Sequence, residues 1–177
     1  MDIMVHLIKE NELFNGDDFN IVEREYSLPH NKNIKKDVII SKAISSVVPV
    51  LDEKHIILVN QYRFGVKENL LELPAGTVNM NEDPLICAKR EIEEETGYKA
   101  KHWIKYNAFF SSPGLNNELV HCFEANKLIK TDINLDYDEI LTPEIIEKEN
   151  INDLLVNGYI KDAKTIIGLL FFLKKNK

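Results

Sequence analysis

Apolar and polar positions along the chain change period several times, and the changes mark its elements. Three short strand-like runs open it, Asp2 to Ile8, Phe19 to Ser27 and Val38 to Ala43. Asn15-Gly16-Asp17-Asp18 and Pro29-His30-Asn31 supply turn chemistry between them. Two aliphatic, β-branched runs follow, Ser45 to Leu51 and His55 to Tyr62, separated by Asp52-Glu53-Lys54. Their spacing predicts a hairpin of the main sheet. Leu70 to Leu73 is a further short strand, stopped by Pro74. The period then lengthens. Over residues 84–96, Leu85, Ala88 and Ile92 fall on one side at about 100° per residue, which predicts a helix with that side toward the core. Asp83 suits its N-cap, Pro84 its first position and Gly97 its stop. Trp103 to Phe110 and Leu119 to Ala125 return to strand patterning, and residues 131–149 are acidic and partly irregular. Ile151 to Val156 and Ala163 to Phe172 close the chain as helices. Strands and helices interspersed in this way predict an α/β or α+β class.

Length and composition narrow the picture without naming a chemistry. The 177 residues suffice for one domain with its own core, read as residues 45–177, and a small N-terminal antiparallel unit over residues 1–44. With 44% hydrophobic and 29% charged residues, the chain reads as an ordinary soluble globular protein. The most apolar run, Ile166 to Leu173, is far short of the ~20 residues of a membrane helix, and no basic segment followed by an apolar stretch opens the chain. A cytoplasmic protein without membrane partners is expected. The formal net charge of −7 argues against non-specific nucleic-acid binding, which depends on Lys and Arg against phosphate. An acidic enzyme for phosphate substrates must recruit cations. The two cysteines, Cys87 and Cys122, form no CxxC pair and read as reduced, buried thiols.

The predicted helix carries the candidate chemistry. Glu91 and Glu95 are four residues apart and Glu94 is three from Glu91, so all three project from one face. Like charges at that spacing repel, and Glu93 adds a fourth carboxylate. A solvated acidic face tolerates this cheaply, whereas a hard divalent cation would turn the repulsion into binding, because it takes oxygen ligands. The surroundings decide between the two. From Gly76 the chain reads G-x₅-E-x₇-R-E-I-x-E-E-x-G-Y, with Glu82, Arg90-Glu91-Ile92, Glu94-Glu95 and Gly97-Tyr98 at its fixed positions. This resembles the Nudix box, G-x₅-E-x₇-REU-x-EE-x-GU with U aliphatic. The one soft departure is Tyr98 at the last U. The resemblance implies a Nudix-type α/β/α sandwich with a mixed sheet. It implies Mg²⁺, with Mn²⁺ able to substitute, held by Glu91, Glu94, Glu95 and the carbonyl of Ala75. Arg90 would pair with the carboxylates and serve catalysis with Glu94, while Glu82 and Gly97 would be structural.

Flanking residues point to a group within that family. Gln61-Tyr62-Arg63 and Glu72-Leu73-Pro74-Ala75-Gly76 resemble the QYR…ELPAG arrangement of ADP-ribose pyrophosphatases, and Ser111-Ser112-Pro113-Gly114 with Glu118 resembles their SPGxxxE. Gly158 to Ile167 resembles their C-terminal helix entry, where Asp162 would cap and the isoleucines pack. The resemblance implies substrate contacts by Arg63, Glu72, Gly76, Pro113 and Glu118, and hydrolysis of ADP-ribose to AMP and ribose 5-phosphate. It also implies a general base on an acidic loop after the box. The candidates there are Asp136, Asp138 and Glu139, with Glu139 first and Asp138 second. A homodimer is expected, with the N-terminal unit contributing to the partner's nucleoside site. Other readings are a hydrolase of another nucleotide sugar or of nucleoside triphosphates and, outside enzymes, a Nudix-fold nucleotide sensor.

Overall fold

A computed structural model describes residues 5–29, 32–135, 137 and 139–175. Two compact units make up the chain. The first is Met1–Ala43 with Phe110–Leu119, and the second is Ile44–Phe109 with Val120–Lys177.

In the first unit, β1 (His6–Asn15), β2 (Phe19–Leu28) and β3 (Lys32–Ser41) form an antiparallel meander in that order. The expected turn after Asn15 is present, closed by Gly16 N–H donating to the Phe19 carbonyl at 3.2 Å. β1 and β3 extend beyond the apolar runs that predict them, β1 at its end and β3 at its start, through residues that are mostly exposed and polar. Val22 is buried, while Leu7, Ile8, Leu13 and Phe14 are exposed. Ion pairs Arg24–Glu10 (2.6 Å) and Lys35–Glu23 (2.9 Å) cross the strands. The segment Phe110–Leu119 joins this unit through Ile39 N–H to the Leu115 carbonyl (3.0 Å) and Ser41 N–H to Asn117 Oδ1 (2.8 Å).

The second unit holds β4 (Ile44–Pro49), β5 (His55–Arg63), β6 (Glu68–Glu72), β7 (Ala75–Thr77), α1 (Pro84–Thr96), β8 (Tyr98–Lys105), β9 (Phe109–Phe110), β10 (Leu119–Lys130), β11 (Leu141–Glu147), α2 (Ile151–Val156) and α3 (Ala163–Lys175). One sheet runs β7-β4-β10-β8, with β9 also on β10; the other runs β11-β5-β6. β10 lies parallel to β4 and antiparallel to β8, so the larger sheet is mixed. The expected β4–β5 hairpin does not form. The two strands belong to different sheets and share only a bridge between Val50 and Ile56. β4 is buried on both faces, and an apolar run of that kind does not name its partner strand. A strand within the acidic stretch, β11, was not expected. Its Pro143 suits an edge position, and β11 is an edge of its sheet.

Period-two alternation on β4 builds the layers. Val47 packs with Ala88 and Ile92 of α1 and with Phe123 and Ala125 of β10. The next residue, Val48, points the other way. It packs with Ile56 and Leu58 of β5, Leu73, Ile151 of α2, and Leu169 and Phe172 of α3. The architecture is a mixed α/β sandwich: the element pattern predicts the class, the resemblance implies the sandwich, and α1 is one outer layer. Among the described residues no helix is long and apolar enough to cross a membrane.

Candidate active site

The local chemistry of α1 fixes its bounds. Asp83 takes extended backbone (φ −71°, ψ 134°) and its carboxylate accepts from Leu85 N–H. Gly97 is left-handed (φ 71°, ψ 32°) and its N–H reaches the Glu93 carbonyl at 2.9 Å. The helix therefore starts and stops where the sequence predicts. Its acidic face is not a solvated one. Glu91 is 5% exposed and Glu95 fully buried.

Two devices make those burials tolerable. Arg90 is the hub of the first, with Nη1 at 2.6 Å from Glu91 and 2.9 Å from Glu94, and Nε at 3.4 Å from Glu82. Burial opposes the charge of Arg90, but Glu91, Glu82 and Glu94 raise its pKa. Glu82 in turn accepts from Asn79 N–H at 2.9 Å, which ties the turn before α1 to the same cluster. The second device is close backbone approach. A Cβ on Gly76 would stand 1.9 Å from Glu91 Oε1, so only glycine lets β7 lie this near the carboxylate. Ala75 N–H donates to Glu95 Oε2 at 3.1 Å.

What remains is a close group of acids. One carboxylate oxygen from each of Glu91, Glu95 and Glu139 lies within 4.8 Å of the others. Burial pushes Glu91 up to about 7 in spite of Arg90, and Glu94 and Glu139 add to the rise. Burial, then Glu91 and Glu139, pushes Glu95 well above the usual carboxylate range. Among the described residues Glu95 Oε1 is buried with no hydrogen-bond partner, and such an atom costs stability unless something binds it. The hard carboxylate oxygens of Glu91 and Glu95, one of them orphaned, fit a divalent cation such as Mg²⁺, and Glu139 stands beside them. A cavity of about 390 Å³ opens beside them, lined among others by Arg63, Ala75, Gly76, Arg90, Glu139 and Lys164.

Comparison with known proteins accounts for this arrangement. Residues 42–165 match the model of the NUDIX domain. The chain belongs to the Nudix family. It is 33% identical over 170 residues to the ADP-ribose pyrophosphatase of Bacillus subtilis (strain 168), covering 95% of this chain and 92% of that protein. It is 32% identical over 126 residues to a GDP-mannose pyrophosphatase of Yersinia enterocolitica, covering 66% and 65%. A crystal structure of an ADP compounds hydrolase superposes with a TM-score of 0.88 over 98% of this chain and 95% of that one, at 17% identity, which shows a shared fold. The protein is a Nudix pyrophosphatase.

The Nudix box thus spans β7, the turn holding Glu82, and α1. It brings Ala75, Gly76, Glu82, Arg90, Glu91, Glu94 and Glu95 together, with Gly97 at the helix stop. Glu94 faces Arg90, and the third carboxylate beside Glu91 and Glu95 is Glu139. Asp136 and Asp138 lie outside the described residues. Pro113 and Glu118 lie in the first unit, where the Glu118 carbonyl accepts from Ser111 N–H at 3.2 Å. Arg63, the last residue of β5, grips Glu72 bidentately, Nε to Oε1 at 2.8 Å and Nη2 to Oε2 at 2.6 Å. Lys164 of α3 pairs with the same Oε2. Burial opposes the charge of Glu72, yet Arg63 and Lys164 hold its pKa below the usual value. From the sequence the α3 entry reads as structural, and Lys164 carries no signal there beyond its place in the Gly158 to Ile167 segment. Asp162 does cap α3, accepting from Thr165 N–H at 2.9 Å.

Proposed function

We propose that this Nudix pyrophosphatase hydrolyses the diphosphate bond of a nucleoside diphosphate sugar, with ADP-ribose giving AMP and ribose 5-phosphate. One observation carries the reading. Glu91 and Glu139, close to the buried Glu95, line one cavity together with Arg63 and Lys164, an arrangement suited to a metal-bound diphosphate. The likeness to the Bacillus subtilis ADP-ribose pyrophosphatase along nearly the whole chain favours ADP-ribose within that class.

The residues divide the work. Glu91 and Glu95, with Glu94 and the Ala75 carbonyl nearby, would hold Mg²⁺. That ion, when bound, neutralises diphosphate charge and lowers the pKa of a bound water. Arg90 keeps the carboxylates in register by pairing with three of them. Arg63 presents its guanidinium to a substrate phosphate, a geometry suited to paired oxygens. Gly76 lets the backbone approach closely. Glu139 is the general base: it lies beside Glu91 and Glu95, on the segment that leads into β11, and takes the proton of the attacking water. Asp138 is the second choice. Pro113 and Glu118 are assigned to the substrate side from the SPGxxxE pattern alone.

The first unit is proposed to mediate a homodimer. Its three-stranded sheet leaves Leu7, Ile8, Leu13 and Phe14 exposed, and a small sheet with few buried apolar residues gains stability by covering such side chains. Light scattering should return about twice the monomer mass; a fully active monomer would overturn this part.

The substrate test is a panel of ADP-ribose, other nucleoside diphosphate sugars, dinucleotides and triphosphates with Mg²⁺, products separated by chromatography. ADP-ribose should give the highest kcat/KM, and a triphosphate preference would refute the assignment. In the same assay E139Q should lose roughly 10²–10⁴ in kcat with metal affinity nearly unchanged.

A further inference from the structure

Lys164 stands 92 residues from Glu72 in sequence, yet its ammonium pairs with Glu72 Oε2 and, at 3.1 Å, with Asp162 Oδ2. Its side chain is only 14% exposed. The turn that carries it is bolted to the β6 region by two further contacts: Lys161 meets Glu68 at 2.9 Å, and Thr165 Oγ1 accepts from Leu73 N–H at 2.8 Å. Asp162 caps the helix from within the same turn. This leaves α3 little freedom to move relative to Glu72. Two of the three donors of the ammonium are spent on carboxylates.

Arg63 is the less constrained partner. It ends β5, and its side chain is 37% exposed at the cavity wall. Its Nε and Nη2 are used on Glu72, which sets the plane of the guanidinium and leaves Nη1 outside that bidentate pair. The direction in which Arg63 offers its donors therefore depends on how firmly Glu72 is held. Charge matters as well. Arg63 and Lys164 balance Glu72 and Asp162; without Lys164 the group would carry a net negative charge beside a cavity meant for a diphosphate.

We infer that Lys164 is a positioning residue for substrate recognition: it fixes Glu72 and balances its charge, so that Arg63 is oriented and free to meet a substrate phosphate. The inference rests on the assignment of Arg63 to a phosphate above. It predicts an effect on binding in the ground state and the transition state alike, which raises KM and spares kcat.

Steady-state kinetics with ADP-ribose and Mg²⁺ on the full chain test this, using K164M, K164Q, K164R, R63A and R63A/K164M at a temperature where circular dichroism shows each folded. K164M and K164Q should raise KM roughly tenfold, the scale of one charged hydrogen bond, with kcat nearly unchanged. K164R should recover most of the loss. The loss should vanish in the R63A background, so that R63A/K164M matches R63A. A residue of purely structural use would lower the melting temperature and leave KM alone, which overturns the inference. So does an independent KM effect in the R63A background, because Lys164 would then touch substrate itself. If R63A leaves KM unchanged, the phosphate role of Arg63 fails and the inference falls with it. If R63A raises KM and the Lys164 variants do not, that role stands and only the inference falls.

Discussion

Glu72 and Glu95 are both almost fully buried, and neutralising them should change stability in opposite directions. Glu72 is paired on both oxygens, with Arg63 at 2.8 and 2.6 Å and with Lys164. In Glu72→Gln the two cations lose their counter-charge and one amide nitrogen is aimed at donors. Removing one partner of a buried pair costs about 3–5 kcal/mol. Arg63 is 37% exposed, so water recovers part of that, and about 2–4 kcal/mol is expected. For a chain of this size that lowers Tm by roughly 5–15 °C. The pH dependence follows from the lowered pKa of Glu72. A carboxylate whose folded pKa is depressed contributes fully above its unfolded value, near 4.5, and loses the contribution as pH falls through the folded pKa. Wild type and E72Q should therefore differ most at neutral pH and converge in acid. Thermal melts followed by circular dichroism from pH 7 down to about 3 measure this. An E72Q melting within 2 °C of wild type at pH 7, or a gap that widens in acid, would refute the pairing argument.

The remaining predictions use the same assays. Glu95→Gln should leave the apo protein at least as stable as wild type at neutral pH, because the carboxylate it replaces is disfavoured there, while kcat falls by orders of magnitude and Mg²⁺ no longer raises Tm; an unfolded E95Q would refute the ligand assignment. Gly76→Ala should displace Glu91, since the new methyl would lie 1.9 Å from Oε1, and should weaken Mg²⁺-dependent stabilisation and activity together; wild-type activity would show that β7 yields at no cost. Cys87 and Cys122 are buried, with thiols pushed up to about 12 and about 11, so neither should react quickly with a thiol reagent at pH 8 until denaturant is added; rapid labelling of the native protein would contradict their placement.

The sequence by itself determined whatever depends on neighbours along the chain. The bounds of α1 were legible because Asp83, Pro84 and Gly97 act on backbone within one turn. The box was legible because a fixed spacing on one helix and the turn before it places Arg90 among Glu82, Glu91 and Glu94. Tertiary structure alone decided what depends on distant partners. β4 and β5 have the same apolar pattern whether they form a hairpin or join two sheets, and β10, about 75 residues on, settles the matter by lying parallel to β4. The same holds at the site. Spacing put Glu94 with Glu91 and Glu95; in the fold Arg90 pairs with Glu94, and the chain's return before β11 brings Glu139 close to Glu91 and Glu95. Lys164 carried no signal of its own, because a lysine in a first helical turn is ordinary until Glu72 is found beneath it. Helical periodicity repeats every few residues and can be read locally. Charge pairing across 92 residues exists only once burial has removed the water that would otherwise screen it.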